Sequence, residues 1–317
     1  MKQLFSAVFL ITATVVTVAA ETLRFPDTVT LDNGLIRVGI SAAAGRIVDF
    51  GVSGGGPNLL WLNTVSEVRE LRETNRWVNL GGDRVWPELY NYWRSIRRTN
   101  IPDPRIDGGE WIPGEQTKLA MTIRSRVSES LGCRLERRIE LSPDRPCLTV
   151  TNRIVQIEPT PFPLQLWPIT QIQPADCYFF AIAPGEPPYR ISSDEAGEIT
   201  LQPGRLIYLA PRDTTTKLTG NGEWLAARFG ELLFVQASHH TPGACYPEGG
   251  SQMLFTGPRY AELEFSGGLR HLKPGEIFEN SVQWELVRLP RNTGNGDAAR
   301  TAQNTATKLL QGNRDHE

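Results

Sequence analysis

Two carboxylates stand two residues apart in Tyr260-Ala261-Glu262-Leu263-Glu264-Phe265. Side chains alternate along a strand, so Glu262 and Glu264 would share one face. Two acids on one β-wall can do general acid–base work, because their repulsion raises one pKa. The competing use of such a pair is a solvated strand face. A second group is Gly81-Gly82-Asp83-Arg84-Val85-Trp86-Pro87-Glu88. Acids and an Arg bond hydroxyls, and an indole covers an apolar ring face, so this set suits a sugar. The same aromatics could instead plug one end of a sheet sandwich.

Other chemistries lack their residues. Ser53-Gly54-Gly55-Gly56 lacks the Lys-Ser/Thr and the following helix of a phosphate cradle. There is no GxSxG. Ser238-His239-His240 puts adjacent imidazoles on opposite faces of a strand, so they cannot easily share a metal. With no HExxH and no acid cluster, neither a metal nor a cofactor is expected.

The elements that must position these groups are β-strands. Gly (29) and Pro (23) break the chain often, which disfavours long helices. Val29 to Ile40 reads as a hairpin around Asp32-Asn33-Gly34. Period-two alternation continues over Arg46–Val52, Met121–Val127, Cys133–Leu141, Cys147–Val155, Leu164–Ile172, Ile199–Leu209, Trp224–Ser238, Gln252–Phe255, Tyr260–Phe265 and Phe278–Leu289. The helical hint inside this region is 63–77. Residues 75–117 break the alternation and read as one long aromatic loop. After Pro290 the chain is polar and poor in large apolar residues, which reads as a disordered tail over 291–317.

Composition bounds the rest. The chain has 317 residues, 40% hydrophobic and 21% charged, which excludes wholesale disorder. The formal net charge is −2, and five Lys (2, 118, 217, 273, 308) accompany 28 scattered Arg among the 33 basic residues. Without clustered positive charge no nucleic-acid partner is expected. Residues 1–20 carry Lys2, an apolar run and Val18-Ala19-Ala20. They read as a secretory signal cleaved after Ala20, leaving a periplasmic or secreted domain over 21–290 with no membrane span. An oxidising compartment permits disulfides among Cys133, Cys147, Cys177 and Cys245, but the Ser142–Pro146 turn places Cys147 opposite Leu141 and Cys133 opposite Val155, which disfavours that pair.

The order of motifs resembles the galactose mutarotase-like superfamily of aldose 1-epimerases and hexose-6-phosphate epimerases, and within it a DUF4380-type branch. Leu31 to Leu60 is similar to the opening strands. Gly81-Gly82-Asp83-Arg84-Val85-Trp86-Pro87 resembles the segment bordering the sugar site. Leu148 to Ile172 resembles a strand pair ending in His-Pro, and Ala261 to Glu276 the strand with the catalytic Glu.

The resemblance implies a single-domain, all-β antiparallel supersandwich. It also implies one cleft for a sugar or oligosaccharide, with Glu264 as the base. Asp83, Arg84, Trp86, Glu88, Trp111, Trp167, Gln171, His239 and Glu262 would line it. Trp167 stands where the family's acid His would be, and Trp has no titratable group. The chain is therefore expected to bind a sugar without the usual acid, with aldose epimerisation and a non-catalytic interaction domain as alternatives. Glu264 is expected to pair with Arg84, which would hold it ionised.

Overall fold

The computed structural model describes residues 21–73, 77–87, 102–109, 111–185, 189–192, 197–210 and 213–312. The signal read over 1–20 lies outside them, as does Glu88. Nineteen strands and two helices form among the described residues. In chain order they begin β1 (Val29–Asp32), β2 (Ile36–Ser41), β3 (Arg46–Val52), α1 (Val65–Glu73), β4 (Asp83–Trp86) and β5 (Ile112–Gln116). There follow β6 (Ala120–Arg124), β7 (Cys133–Leu141), β8 (Cys147–Gln156), β9 (Trp167–Ile172), β10 (Cys177–Ala181), β11 (Arg190–Ser192) and β12 (Glu198–Gln202). The last are β13 (Arg205–Leu209), β14 (Thr216–Gly220), β15 (Trp224–Phe229), β16 (Leu232–Ala237), β17 (Gln252–Thr256), β18 (Ala261–Phe265), β19 (Ile277–Arg288) and α2 (Asn295–Gly312).

The strands make two antiparallel sheets. The first runs β1-β2-β3-β4-β9-β18-β17-β14-β11, and the second β12-β13-β10-β15-β16-β19-β8-β7-β6-β5. Alternating residues of both enter one shared core, including Ile47, Phe50, Ile172, Leu254 and Leu263 from the first sheet and Ile139, Val150, Phe234 and Trp284 from the second. The expected hairpin forms, with Val29 opposite Ile40 and Gly34 at φ +86°. Across the β7–β8 pair Leu141 faces Leu148 and Cys133 faces Gln156, one residue from the expected register. Cys147, Cys177 and Cys245 are free thiols.

Two expectations are corrected. Residues 75–117 are not one loop, because they contain β4 and β5. β4 was hidden by its length: four residues, all buried, show no alternation of polarity. Gly81 and Gly82 deliver it at φ +87° and +74°, and a Cβ there would strike the Trp61 and Ile47 carbonyls.

Residues 291–312 do not form a disordered tail. α2 lays Ala298, Ala299, Ala302, Ala306 and Leu309 against Phe179, Trp224, Ala226 and Val235 on the outer face of the second sheet. Small side chains bring a helix close to a sheet, so an alanine stripe makes a core without large apolar residues. No described helix is long and apolar enough to cross a membrane.

Candidate functional site

Five neighbouring strands of the first sheet bring distant residues onto the face opposite the shared core. Register puts Trp86 opposite Trp167 and Arg84 opposite Ile169 across β4–β9. Gln171 faces Glu262, and Ile169 faces Glu264, across β9–β18. Glu264 then faces Met253 on β17, and Phe255 of β17 faces Lys217 on β14. Period two therefore aligns Arg84, Trp86, Trp167, Gln171, Glu262, Glu264 and Lys217 on one side. Trp86, Trp167, Ile169 and Met253 pack together there, with Trp77 against them.

Glu264 is the most enclosed acid of this face, 1% exposed. Its Oε2 accepts the Trp167 indole N–H at 2.9 Å and a Lys217 ammonium hydrogen bond at 3.3 Å. Its Oε1 is buried and has no hydrogen-bond partner among the described residues. Burial pushes the carboxyl up to about 7, reinforced by Glu262 and opposed by Lys217 and the indole. The expected Arg84 partner is thus replaced by Lys217. Burial pulls the Lys217 ammonium down, but Glu264, Glu248 and Glu262 outweigh it and leave its pKa raised.

Arg84 pairs instead with Glu262, Nη2 to Oε1 at 3.3 Å. The same oxygen accepts the Gln171 amide at 2.8 Å. The guanidinium lies 4.4 Å from the Trp86 ring centroid and 5.6 Å from that of Trp77. Its Nε and Nη1 are buried without hydrogen-bond partners among the described residues. Trp77 is held in turn, since its indole donates to Asp107 at 2.7 Å and Asp107 pairs with buried Arg46.

Three expected site residues stand elsewhere. Asp83 faces the core between the sheets, where it pairs with Arg137 and accepts from Thr170 at 2.7 Å. One step along β4 from Arg84, it must take the opposite face. Trp111 is a core residue whose indole donates to the Ile106 carbonyl at 2.9 Å, and Gly45 has no room for a Cβ beside it. His239 lies 3.6 Å from Glu223 and lines a separate cavity of about 180 Å³ with Arg270 and Asn280. No described group of three or more His, Cys, Asp or Glu is placed to hold a metal.

Lys217 was missed by the sequence reading, and what sets it apart shows only in the structure. In a chain with 28 Arg and five Lys it is the one described Lys that is not exposed. Lys, unlike Arg, shifts its pKa readily when enclosed.

No family model matches the chain, and no curated protein matches it in sequence. Solved structures share its fold. A galactose mutarotase-like protein from Lactobacillus casei ATCC 334 superposes with a TM-score of 0.57 at 11% identity, covering 82% of this chain and 100% of that one. A galactose mutarotase related enzyme from Lactobacillus acidophilus gives 0.55 at 12% identity, covering 84% and 100%. The two-sheet sandwich is of the galactose mutarotase-like type.

Proposed function

We propose that the protein binds a sugar on the face built by β4, β9, β18, β17 and β14. One observation carries this reading. Glu264 Oε1 and Arg84 Nε and Nη1 are enclosed beside Trp86 and Trp167 with no hydrogen bond among the described residues. Burying such groups unpaired is costly, and a polyhydroxylated ligand supplies donors and acceptors together. The indoles offer apolar surface to the ring. The fold likeness to galactose mutarotase-like proteins agrees with this reading, and the finer kinship to a DUF4380-type branch rests on the ordered motifs alone. Residues 1–20 support export with cleavage after Ala20, which N-terminal sequencing of the mature protein tests.

Calorimetry with a panel of aldohexoses, aldopentoses and hexuronates tests the binding. At least one sugar should bind, and Glu264→Gln and Arg84→Met should each weaken it at least about tenfold, on the order of 1.4 kcal/mol. Sugar binding untouched by both substitutions would place the site elsewhere.

A second reading, turnover at the anomeric carbon, is favoured by the Glu264 carboxyl at about 7. A group with that pKa can both take and return a proton near neutral pH.

A further inference from the structure

Beside α2 the second sheet carries a cavity of about 450 Å³, on the side of the molecule away from the first sheet's candidate face. Separate parts of the chain build it. Ala181 ends β10 and leads into Ile182 and Pro184, while Glu223 stands just before Trp224 at the start of β15. His240 comes from the segment after β16, and α2 contributes Gln303, Thr307 and Leu310. Those three helix positions follow at i, i+4 and i+7, so they share one side of α2 and flank its alanine stripe. A space of this size, with mostly apolar walls and a few convergent polar groups, has the make-up of a small-molecule site.

The polar groups narrow the ligand. Among the described residues that line the cavity there is no Lys or Arg, and the one carboxylate is Glu223. Its side chain is 43% exposed, so solvent and solutes reach it. Its Oε1 accepts the His240 backbone N–H at 3.3 Å and lies 3.6 Å from His239 Nδ1, and both contacts leave Oε2 unused. Thr307 donates its hydroxyl hydrogen to the Gln303 carbonyl at 2.9 Å, so its oxygen can still accept. Arg205, beside Gly204 on the rim, donates to Gln202 and to the Gln303 side-chain oxygen. An anionic ligand would therefore meet a carboxylate and no lining cation. A sugar would need an open indole face, whereas Trp224 is 6% exposed and packs with the alanine stripe.

We propose that this cavity is a second binding site, for a small organic ammonium ion with an apolar body. The ammonium sits against the Glu223 carboxylate and the Thr307 oxygen, and the apolar body lies along Ile182, Pro184 and Leu310. An ion pair open to solvent adds little by itself, and apolar walls beside it strengthen the attraction by lowering the local dielectric. The apolar body therefore supplies most of the affinity, and the charge supplies the selectivity. The site stands independently of sugar binding on the first sheet.

Three probes that share a phenyl ring and differ in charge test it: phenethylamine, 2-phenylethanol and 3-phenylpropionate. Carbon-13 methyl NMR of the whole chain follows the Ile182 and Leu310 resonances during titration. The amine should shift both with a dissociation constant of about 1 mM or below. It should bind about fivefold more tightly than the alcohol, with the carboxylate weakest. Glu223→Gln should bring the amine down to the affinity of the alcohol. Thr307→Trp, at an exposed position of α2, should fill the cavity and abolish binding of all three while sugar affinity on the first sheet stays as in wild type. Methyls that do not respond to the amine overturn the site, and equal affinities for amine and alcohol overturn the ligand class. Amine binding that survives T307W also overturns it, because the amine then sits elsewhere, as on the Glu262 and Glu264 face. If T307W does not fold, E223Q decides alone: a preference for the amine that persists there overturns the role of the carboxylate.

Discussion

Asp83 and Arg84 are adjacent in sequence and serve opposite faces of the first sheet. Asp83 is tied to Arg137 of the second sheet, and Arg84 to Glu262 on the candidate site. Arg137 also donates to the Asp83 carbonyl and to Asn152, both at 2.9 Å, while Gln236 donates to Thr170 at 2.8 Å. A polar knot inside the shared core thus fixes from behind the strand that presents Arg84 and Trp86.

Arg137→Met should leave a buried carboxylate without its cation. We expect a loss of about 3–5 kcal/mol, read from denaturant unfolding. The double change Asp83→Leu/Arg137→Met should recover part of it, because no charge is then stranded. A single mutant with the wild-type midpoint would show the pair to be energetically idle.

Glu264 should set a pH dependence of stability. Its folded pKa of about 7 exceeds its ordinary 4.5. Between those values the folded state keeps a proton that the unfolded state has lost, so stability falls as pH rises. Below the window both states are protonated, and above it the full loss of about 3 kcal/mol persists. Glu264→Gln should lack this decline, so the difference between variant and wild type grows from about pH 4 to about pH 8. Parallel stability curves would refute the raised pKa.

Trp167→Phe keeps an aromatic ring in the cluster and deletes the hydrogen bond to Glu264. Loss of a donor to the charged form should raise the carboxyl above its value of about 7. Carbon-13 NMR titration of the Glu carboxyls reads the shift. An unmoved titration would mean that the indole contributes nothing to the ionised form.

Ala302→Leu tests the helix packing independently of the site. Ala302 is 0% exposed against the second sheet, so added methylenes should cost about 1–3 kcal/mol in thermal or denaturant melts. Sugar affinity should not change, because α2 covers the other sheet. An affinity that falls with stability would reveal coupling between the two.

Legibility in the sequence followed the strength of the two-residue period. β3 and β7 match the expected bounds, and Glu262 and Glu264 share a face as alternation requires. β14 escaped because Thr216-Lys217-Leu218-Thr219-Gly220 holds a single large apolar side chain. Missing that strand meant missing Lys217, and Glu264 was assigned the wrong cation. Asp83 was grouped with Arg84 because a loop reading carries no sidedness. α2 was lost because its buried stripe is alanine, which a search for bulky residues passes over.

β19 sits between β16 and β8 in the second sheet. It pairs with β8 from Ile277 to Glu285 and with β16 from Leu232 to Ala237. It is also the last described strand to leave the ribosome. Until it arrives, the strands on its two sides belong to separate half-sheets, each with an open edge along its full length. Such edges invite pairing with other chains. The order of synthesis therefore makes the nascent chain more dependent on chaperone protection than the finished protein. A circular permutant that begins with β19 should aggregate less during chaperone-free cell-free translation, because the strand bridging both halves is then made first.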